Sequence, residues 1–371
     1  MLKRLLQIGG LLGSLLAVTT WLRWRQIQSS RVPAPLAHTL IDNPDKTLSV
    51  ERVDDMLTIA WEKPTTRTTI YLAETPETIN HDKPAAIINN RQEAVLQGVH
   101  PTTRYYVEIV FEDGTTVGQW ERVLPLASVP NFRDIGGYET RDGKRVRWHQ
   151  VFRASALDRV SAEDAQTLEA MNIQLVCDVR TTEEHLAHPD NLPDSMTVIS
   201  TPPSSDDNVW MQLIRLLFVP GFLENILSDL YKRVMIDDNP QVFKEIFERL
   251  ADPANLPTVI HCAAGKDRTG IVTALLLSVL GVPDETIIAD YTLSNHEYAH
   301  FKESTRKSLA QLRIVGLTEA DFDYLLIADG ELMRETLAYV RQTYGSVENY
   351  LVTYTGITSE TIEAIRENLL A

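Results

Sequence analysis

Between residues 46 and 125, apolar and polar positions alternate with a period of two. Leu57, Ile59 and Trp61 form one alternating set; Tyr105, Val107, Ile109 and Phe111 form another. Successive side chains of a strand point to opposite faces, so each set reads as a half-buried β-strand. Glu112-Asp113-Gly114 supplies a hairpin turn after the second set. Short strands at this spacing, with a tryptophan in one and a tyrosine in a later one, predict a small all-β sandwich.

The pattern changes near residue 127. Val151-Phe152 is a strand, Ser161 with Asp164 opens a helix running through Met171, and residues 173–179 are a second buried strand. Thr181 with Glu184 opens another helix, Arg141 to Lys144 is a turn, and residues 257–260 form a third apolar strand. Residues 271–280 are almost wholly apolar and end at Gly281 and Pro283, which stop a helix. Beyond Asp284 the chain reads as helices, for example over 331–344 and 359–370. Strands alternating with helices predict an α/β domain with a central parallel or mixed sheet flanked by helices.

Two apolar segments stand outside this scheme. Residues 5–22 carry no charge, follow Lys3-Arg4 and end in Trp21-Leu22-Arg23-Trp24-Arg25. That length is just enough to span a bilayer, which takes roughly 17–25 residues. As a secretory signal the run is long, and no small-x-small cleavage site follows it. The expectation is a single-pass anchor at 1–25 in a bacterial inner or plasma membrane, its orientation left open by basic residues at both ends. Residues 26–45, with Ser29-Ser30, Pro33 and Pro35, read as a linker. The sandwich then spans 46–126 and the α/β domain 127–371. The second segment, 209–223, is broken at Pro220-Gly221; it reads as a core helix, or as a hydrophobic lid or membrane-contacting flap between Asp206-Asp207 and Asp237-Asp238.

Chemistry concentrates in His261-Cys262-Ala263-Ala264-Gly265-Lys266-Asp267-Arg268-Thr269-Gly270, between the third apolar strand and the apolar helix. Backbone N–H groups and the positive end of a helix dipole converge there, making an anion site. A cysteine at its mouth is expected to be a thiolate near neutral pH, and the planar fork of Arg268 matches two phosphate oxygens. Thr269 is placed to hydrogen-bond the sulfur as it leaves. Together these groups describe attack on a phosphoryl group with a covalent cysteinyl-phosphate intermediate. A His-Cys pair after a strand is often mere core packing, but here Cys, Gly, Arg and Thr all fall at the spacing the chemistry needs. The loop is not of the Walker type, since Gly265-Lys266 is followed by Asp267 and lacks the upstream glycine.

Cys262 and Arg268 at the Cys-x5-Arg spacing, within HCAAGKDRTG, resemble the bacterial cysteine-dependent tyrosine/dual-specificity phosphatase family. Asn131-Phe132-Arg133-Asp134-Ile135-Gly136-Gly137-Tyr138 is similar to that family's opening signature, and Cys177-Asp178-Val179-Arg180 with Glu184 to its strand-end block. The resemblance runs from about Val129 to the C-terminus. It implies a cysteine-phosphatase fold, with Cys262 as nucleophile and Arg268 binding the phosphate and stabilising the transition state. Ala263, Ala264, Gly265, Lys266, Asp267, Arg268 and Thr269 would cradle the phosphate. The general acid would be Asp267, or else Asp178, for which the alternative is an ion pair with Arg133 or Arg180. His261 would orient the loop and tune the thiolate, and Lys266 would suit further phosphates, as on an inositol ring. Asn131, Arg133, Asp134, Arg180 and Glu184 would support these groups from behind. The N-terminal part resembles a fibronectin type III module with no catalytic constellation, hence a spacer or protein-binding unit.

Composition narrows the partners. A net charge of −16 argues against a nucleic-acid backbone, so an anionic substrate must be drawn in by a local positive site. The two cysteines, Cys177 and Cys262, exclude a disulfide framework or a cysteine-rich zinc site. Cys177 suits core packing, or a protective disulfide with Cys262. No cofactor or metal is implied: His185 and His188 lack a cysteine or acidic partner at ligand spacing. The expected substrate is a phosphorylated protein, carrying phosphotyrosine or also phosphoserine and phosphothreonine, or a phosphoinositide. The rivals are a non-catalytic phosphate-reading module and a sulfur- or arsenate-handling enzyme with a similar loop.

Overall fold

The computed structural model describes residues 41, 43–204, 222–310 and 323–371. The expected anchor at 1–25, nearly all of the linker and most of the apolar segment at 209–223 lie outside the described residues. Among the described residues no helix is long and apolar enough to cross a membrane.

The alternating region forms β1 (Leu48–Val53), β2 (Met56–Trp61), β3 (Arg67–Ala73), β4 (Ala86–Asn89), β5 (Glu93–Gln97), β6 (Tyr106–Phe111) and β7 (Thr116–Trp120). They pair antiparallel into a three-stranded sheet, β1-β2-β5, and a four-stranded sheet, β4-β3-β6-β7. Every second residue of β2 and β6 is buried: Leu57, Ile59 and Trp61 on one, Val107, Ile109 and Phe111 on the other. These meet with Leu48 and Ile70 in one apolar cluster between the sheets. Gly114, at φ +82°, closes the turn after β6 by donating its N–H to the Phe111 carbonyl at 2.9 Å.

The second region holds β8 (Arg133–Asp134), β9 (Val151–Ala154), β10 (Leu175–Asp178), β11 (Thr197–Ser200) and β12 (Thr258–His261) in the order β11-β10-β12-β9-β8. All pairings are parallel except β8 against β9, so the sheet is mixed. Its helices are α1 (Ala162–Ala170), α2 (Thr182–Ala187), α3 (Phe222–Asp229), α4 (Pro240–Leu250), α5 (Asp267–Val279), α6 (Asp284–Thr292), α7 (Tyr298–Ala310), α8 (Asp323–Leu326), α9 (Gly330–Tyr344), α10 (Val347–Asn349) and α11 (Ser359–Leu369), with a π-helical stretch, Leu230–Asp237, continuing α3. Alternate residues of the central strands serve two cores. Val176 and Val259 join Phe152 and Leu168 of α1 on one face; Leu175, Cys177 and Ile260 join Phe243 and Phe247 of α4 and Leu275 of α5 on the other. Burial on both faces is why these strands read as unbroken apolar runs.

Helix α5 is buried on nearly every side, which explains its lack of a polar face. It begins earlier than its apolar run, at Asp267, so the end of the His261–Gly270 stretch is its first turn rather than loop. Cys177 is a free thiol packed in the core, where burial pushes it upward from its ordinary pKa.

Arginines bolt the two regions together. Arg122 pairs with both oxygens of Asp45 at 2.6 and 2.7 Å, donates to the Asp134 and Gly136 carbonyls, and stacks 3.9 Å over the Tyr138 ring. Arg104 donates to Asp134 Oδ2 at 3.0 Å. Asp134 also accepts from the N–H groups of Gly136 and His149. The Asp134 carboxylate thus ties Arg104 of the sandwich to backbone N–H groups of the α/β region.

Candidate active site

Loop 262–266 emerges where β12 ends and α5 begins, at the carboxyl edge of the parallel strands, where open α/β sheets hold their ligands. Gly265 adopts φ +63°, and a Cβ there would stand 2.2 Å from the Ala154 carbonyl oxygen, so only glycine lets the loop lie against the end of β9. The loop's carbonyl oxygens are held from outside. Asn131 Nδ2 donates to those of Ala264 and Gly265 at 3.0 and 3.1 Å, and Arg153 Nη2 to those of Gly265 and Lys266 at 3.0 and 3.3 Å. The Ala156 N–H donates to the Ala263 carbonyl at 3.1 Å. Peptide N–H and C=O groups point in opposite directions, so the amides turn into the bend. Those from Ala263 to Lys266 have no acceptor among the described residues. Unpaired N–H groups in a closed bend form an anion-binding nest.

The tethers are themselves fixed by a buried charge cluster. Arg133 Nη1 donates to Asn131 Oδ1. Arg133 Nε and Arg153 Nη1 share Asp290, at 3.2 Å to Oδ1 and 2.6 Å to Oδ2, and Tyr138 donates to Oδ1 at 2.9 Å. Burial would raise the Asp290 carboxyl, but Arg133 and then Arg153 hold it well below the usual carboxylate range. Arg133, Arg153 and Asp290 are each only 1% exposed, and such buried charges persist only when paired and hydrogen-bonded.

Arg268, in the first turn of α5, is clamped in bidentate fashion by Glu184, at 2.5 Å from Nη1 to Oε2 and 2.9 Å from Nη2 to Oε1. Nη1 also donates to the Val179 carbonyl at 3.2 Å. Glu184 is presented by a capping box at the expected helix start, its Oε2 accepting from the Thr181 N–H while Thr181 Oγ1 accepts from the Glu184 N–H. Burial alone would lower the Arg268 guanidinium, but Glu184 and then the Cys262 sulfur raise it above its ordinary value. Burial would likewise raise Glu184, but Arg268 holds it low. The guanidinium is thus permanently charged and aimed before any substrate arrives.

Asp178 lies at the end of β10 and is fully buried. Arg180 grips it from Nε and Nη2 at 2.9 and 2.8 Å, and His185 Nδ1 lies 2.8 Å from Oδ2. Both oxygens are occupied, and of the two arginines expected as its partner it is Arg180 that pairs with Asp178. Arg180 Nη2 also bridges to Asp190 at 2.8 Å. His261 is fully buried beside these carboxylates, Nε2 lying 3.3 Å from Asp190 and 3.8 Å from Asp178. Asp178, Asp190 and His261 are close enough to share a cation, but a guanidinium already spans the two carboxylates.

Asp267 lines the cleft, together with Asp158 and with Glu184, whose carboxylate is taken by Arg268. Asp267 Oδ1 accepts from Tyr231 and from Lys266 Nζ, both at 2.7 Å. Lys266 is 2% exposed and also donates to the Leu325 and Ile327 carbonyls at 3.0 and 3.2 Å. All three of its protons are engaged by these internal acceptors. Thr269 is buried with Oγ1 unpaired among the described residues, and so is Ser155.

The cleft above the loop has a volume of about 480 Å³. Ala263, Ala264, Lys266 and Asp267 line it from the loop, and Pro130, Ser155, Arg159, Phe301, Leu325 and Leu326 form its other walls. Sequence reasoning missed Arg153, Asp290, Ser155 and Tyr231. Two of these left a mark: Arg153 interrupts the apolar β9, and Asp290 follows Ile287, Ile288 and Ala289 in α6. A charged residue inside an otherwise buried element signals a partner, though not which one.

Residues 124–371 match a family profile described as "Tyrosine phosphatase family". Among named relatives, triple specificity protein phosphatase PtpB of Mycobacterium tuberculosis is 30% identical over 280 residues, covering 67% of this chain and 99% of that one. A tyrosine-protein phosphatase of Nostoc commune is 28% identical over 233 residues, covering 58% and 73%. A Cupriavidus necator protein whose tyrosine-protein phosphatase name is provisional is 28% identical over 233 residues, covering 62% and 82%.

Proposed function

The chain belongs to the tyrosine phosphatase family, and we propose that it works through a phosphate held covalently on Cys262. It is a phosphoric monoester hydrolase of the protein-tyrosine/dual-specificity type. In the first step the Cys262 sulfur attacks phosphorus, the ester P–O bond breaks, and the leaving oxygen takes a proton from Asp267. The loop amides and the Arg268 fork receive the charge that builds on the equatorial oxygens. In the second step water attacks the thiophosphate and gives a proton to Asp267, releasing inorganic phosphate and the thiolate. Asn131, Arg133, Arg153 and Asp290 keep the loop in shape; Glu184 aims Arg268; Arg180 and Asp178 brace His261 and the end of β10.

What carries this reading is the loop: amides from Ala263 to Lys266 that are unpaired among the described residues, with a bidentately fixed arginine in the helical turn that follows. The favoured substrate is a phosphorylated protein. An aryl phosphate fits a cleft whose wall carries Phe301, Leu325 and Leu326, and Arg159 at that wall suits acidic flanking residues. Phosphoinositide is the second reading; the "triple specificity" name of the mycobacterial relative supports a substrate range wider than one phosphorylated residue type. Residues 127–371 form the catalytic unit in this proposal. The two antiparallel sheets support reading 46–126 as a fibronectin type III-like module, and the uncharged run at 5–22 supports a membrane anchor.

The test is phosphate release by the full chain beside Cys262→Ser, with chelator present. The panel holds a phosphotyrosine peptide, a phosphoserine peptide and mono-phosphorylated phosphoinositides. Turnover on the phosphotyrosine peptide that disappears in Cys262→Ser is the expected result. Binding without turnover by the wild type would instead make the chain a phosphate-reading module.

A further inference from the structure

We propose that Tyr231 is a positioning residue of the proton-transfer step, deciding which oxygen of Asp267 carries the proton; this rests on Asp267 being the acid. Tyr231 is fully buried in the π-helical stretch Leu230–Asp237, an irregularity that recurs at functional sites. Its hydroxyl donates to Asp267 Oδ1 at 2.7 Å, and Lys266 Nζ donates to the same oxygen at 2.7 Å. Behind it stands Tyr291, with 2.6 Å between the two phenol oxygens. Burial raises both phenols well above their ordinary pKa, so both keep their protons. With the Tyr231 proton directed at Asp267, the Tyr291 hydroxyl donates to Tyr231, and the row of donors runs one way.

An oxygen that already receives two donors has little lone-pair density left for a proton of its own. Asp267 Oδ2 receives none among the described residues, and the side chain keeps 20% of its surface exposed at the cleft. The acid form therefore carries its proton on Oδ2, toward the leaving oxygen. As the S–P bond forms and the P–O bond breaks, the Oδ2 proton moves to the leaving oxygen. The charge appearing on the carboxylate is met at Oδ1 by Tyr231 and Lys266 without any rearrangement. In the second half-reaction the proton from water returns to Oδ2.

The experiment compares kcat/KM on 4-nitrophenyl phosphate and phenyl phosphate for the full chain, Tyr231→Phe and Asp267→Asn. This ratio reports steps up to P–O cleavage, and only the poorer leaving group depends strongly on being protonated. Removing the acid outright costs roughly 10²-fold or more on phenyl phosphate. Tyr231→Phe keeps the ring and the packing; it is expected to lose about tenfold on phenyl phosphate and about twofold on 4-nitrophenyl phosphate, the tenfold loss matching the removal of one hydrogen bond to a charged group. Tyr291→Phe shows the same bias, smaller in size. Equal losses on both substrates in Tyr231→Phe, with Asp267→Asn still discriminating, overturn the proposal and leave Asp267 as the acid. No discrimination in Asp267→Asn places the acid elsewhere, and the role of Tyr231 falls with it.

Discussion

The two regions of this chain are stabilised by different means. The sandwich core is built from aliphatic and aromatic side chains, with Thr68 the sole buried polar residue among its described strands β1 to β6. Beneath the cysteine loop the same depth of burial holds Arg133, Arg153, Asp178, Arg180, His261, Lys266 and Asp290. Apolar burial is non-directional and tolerates small shifts, whereas a buried guanidinium–carboxylate pair has one good geometry and is costly when disturbed. The catalytic region accepts that cost where carbonyl oxygens and an arginine fork must be held to a fraction of an ångström.

This contrast can be broken in graded steps. The largest effect is expected from Asp290→Asn, which leaves Arg133 and Arg153 facing a neutral partner. Stability should fall by about 3–5 kcal/mol in urea titration, together with a loss of phosphate release as the tethers on Ala264 and Gly265 slacken. An intermediate effect should appear in acid. Burial would raise Asp178, but Arg180 and then His261 lower it to about 2 from 3.8. A carboxyl depressed in the folded state stabilises above its unfolded pKa and loses that contribution as pH falls through the folded one. Roughly 2 kcal/mol should therefore disappear between about pH 4 and pH 2. Unfolding midpoints across that range should slope less in Asp178→Asn. The smallest effect is expected in the sandwich: Ile109→Val should cost about 1 kcal/mol and leave phosphate release unchanged. A loss of turnover in that variant would mean that the junction at Arg104 and Arg122 transmits packing to the loop.

Legibility followed the same division. Leu57, Ile59 and Trp61 alternate in the sequence because they alternate in space, and a period is readable along a chain. The caps at Ser161 and Thr181 were readable for the same reason, being satisfied within one turn. Cys262 and Arg268 were legible as a pair because they stand only six residues apart in the chain. Glu184 was expected to stand behind the loop residues; its bidentate grip on Arg268 links two separate elements, and only the fold reveals it. Asp178 shows the limit most clearly: its neighbour in sequence, Arg180, was one of two arginines that could have claimed it. Lys266 shows a second limit, since an ammonium looks alike in sequence whether it faces solvent or three internal acceptors.

The amino-acid order by itself determined the succession of strands and helices and the strand–loop–helix stretch that carries Cys262 and Arg268, since these depend on periodicities and spacings confined to a few neighbouring residues. Tertiary structure alone decided which of the buried charges are partnered, that Asp290 is shared by two arginines from different strands, and that Tyr231 reaches Asp267. Those pairings join residues far apart in the chain. Their energy depends on separation and burial, which are properties of the folded state and have no period in the sequence.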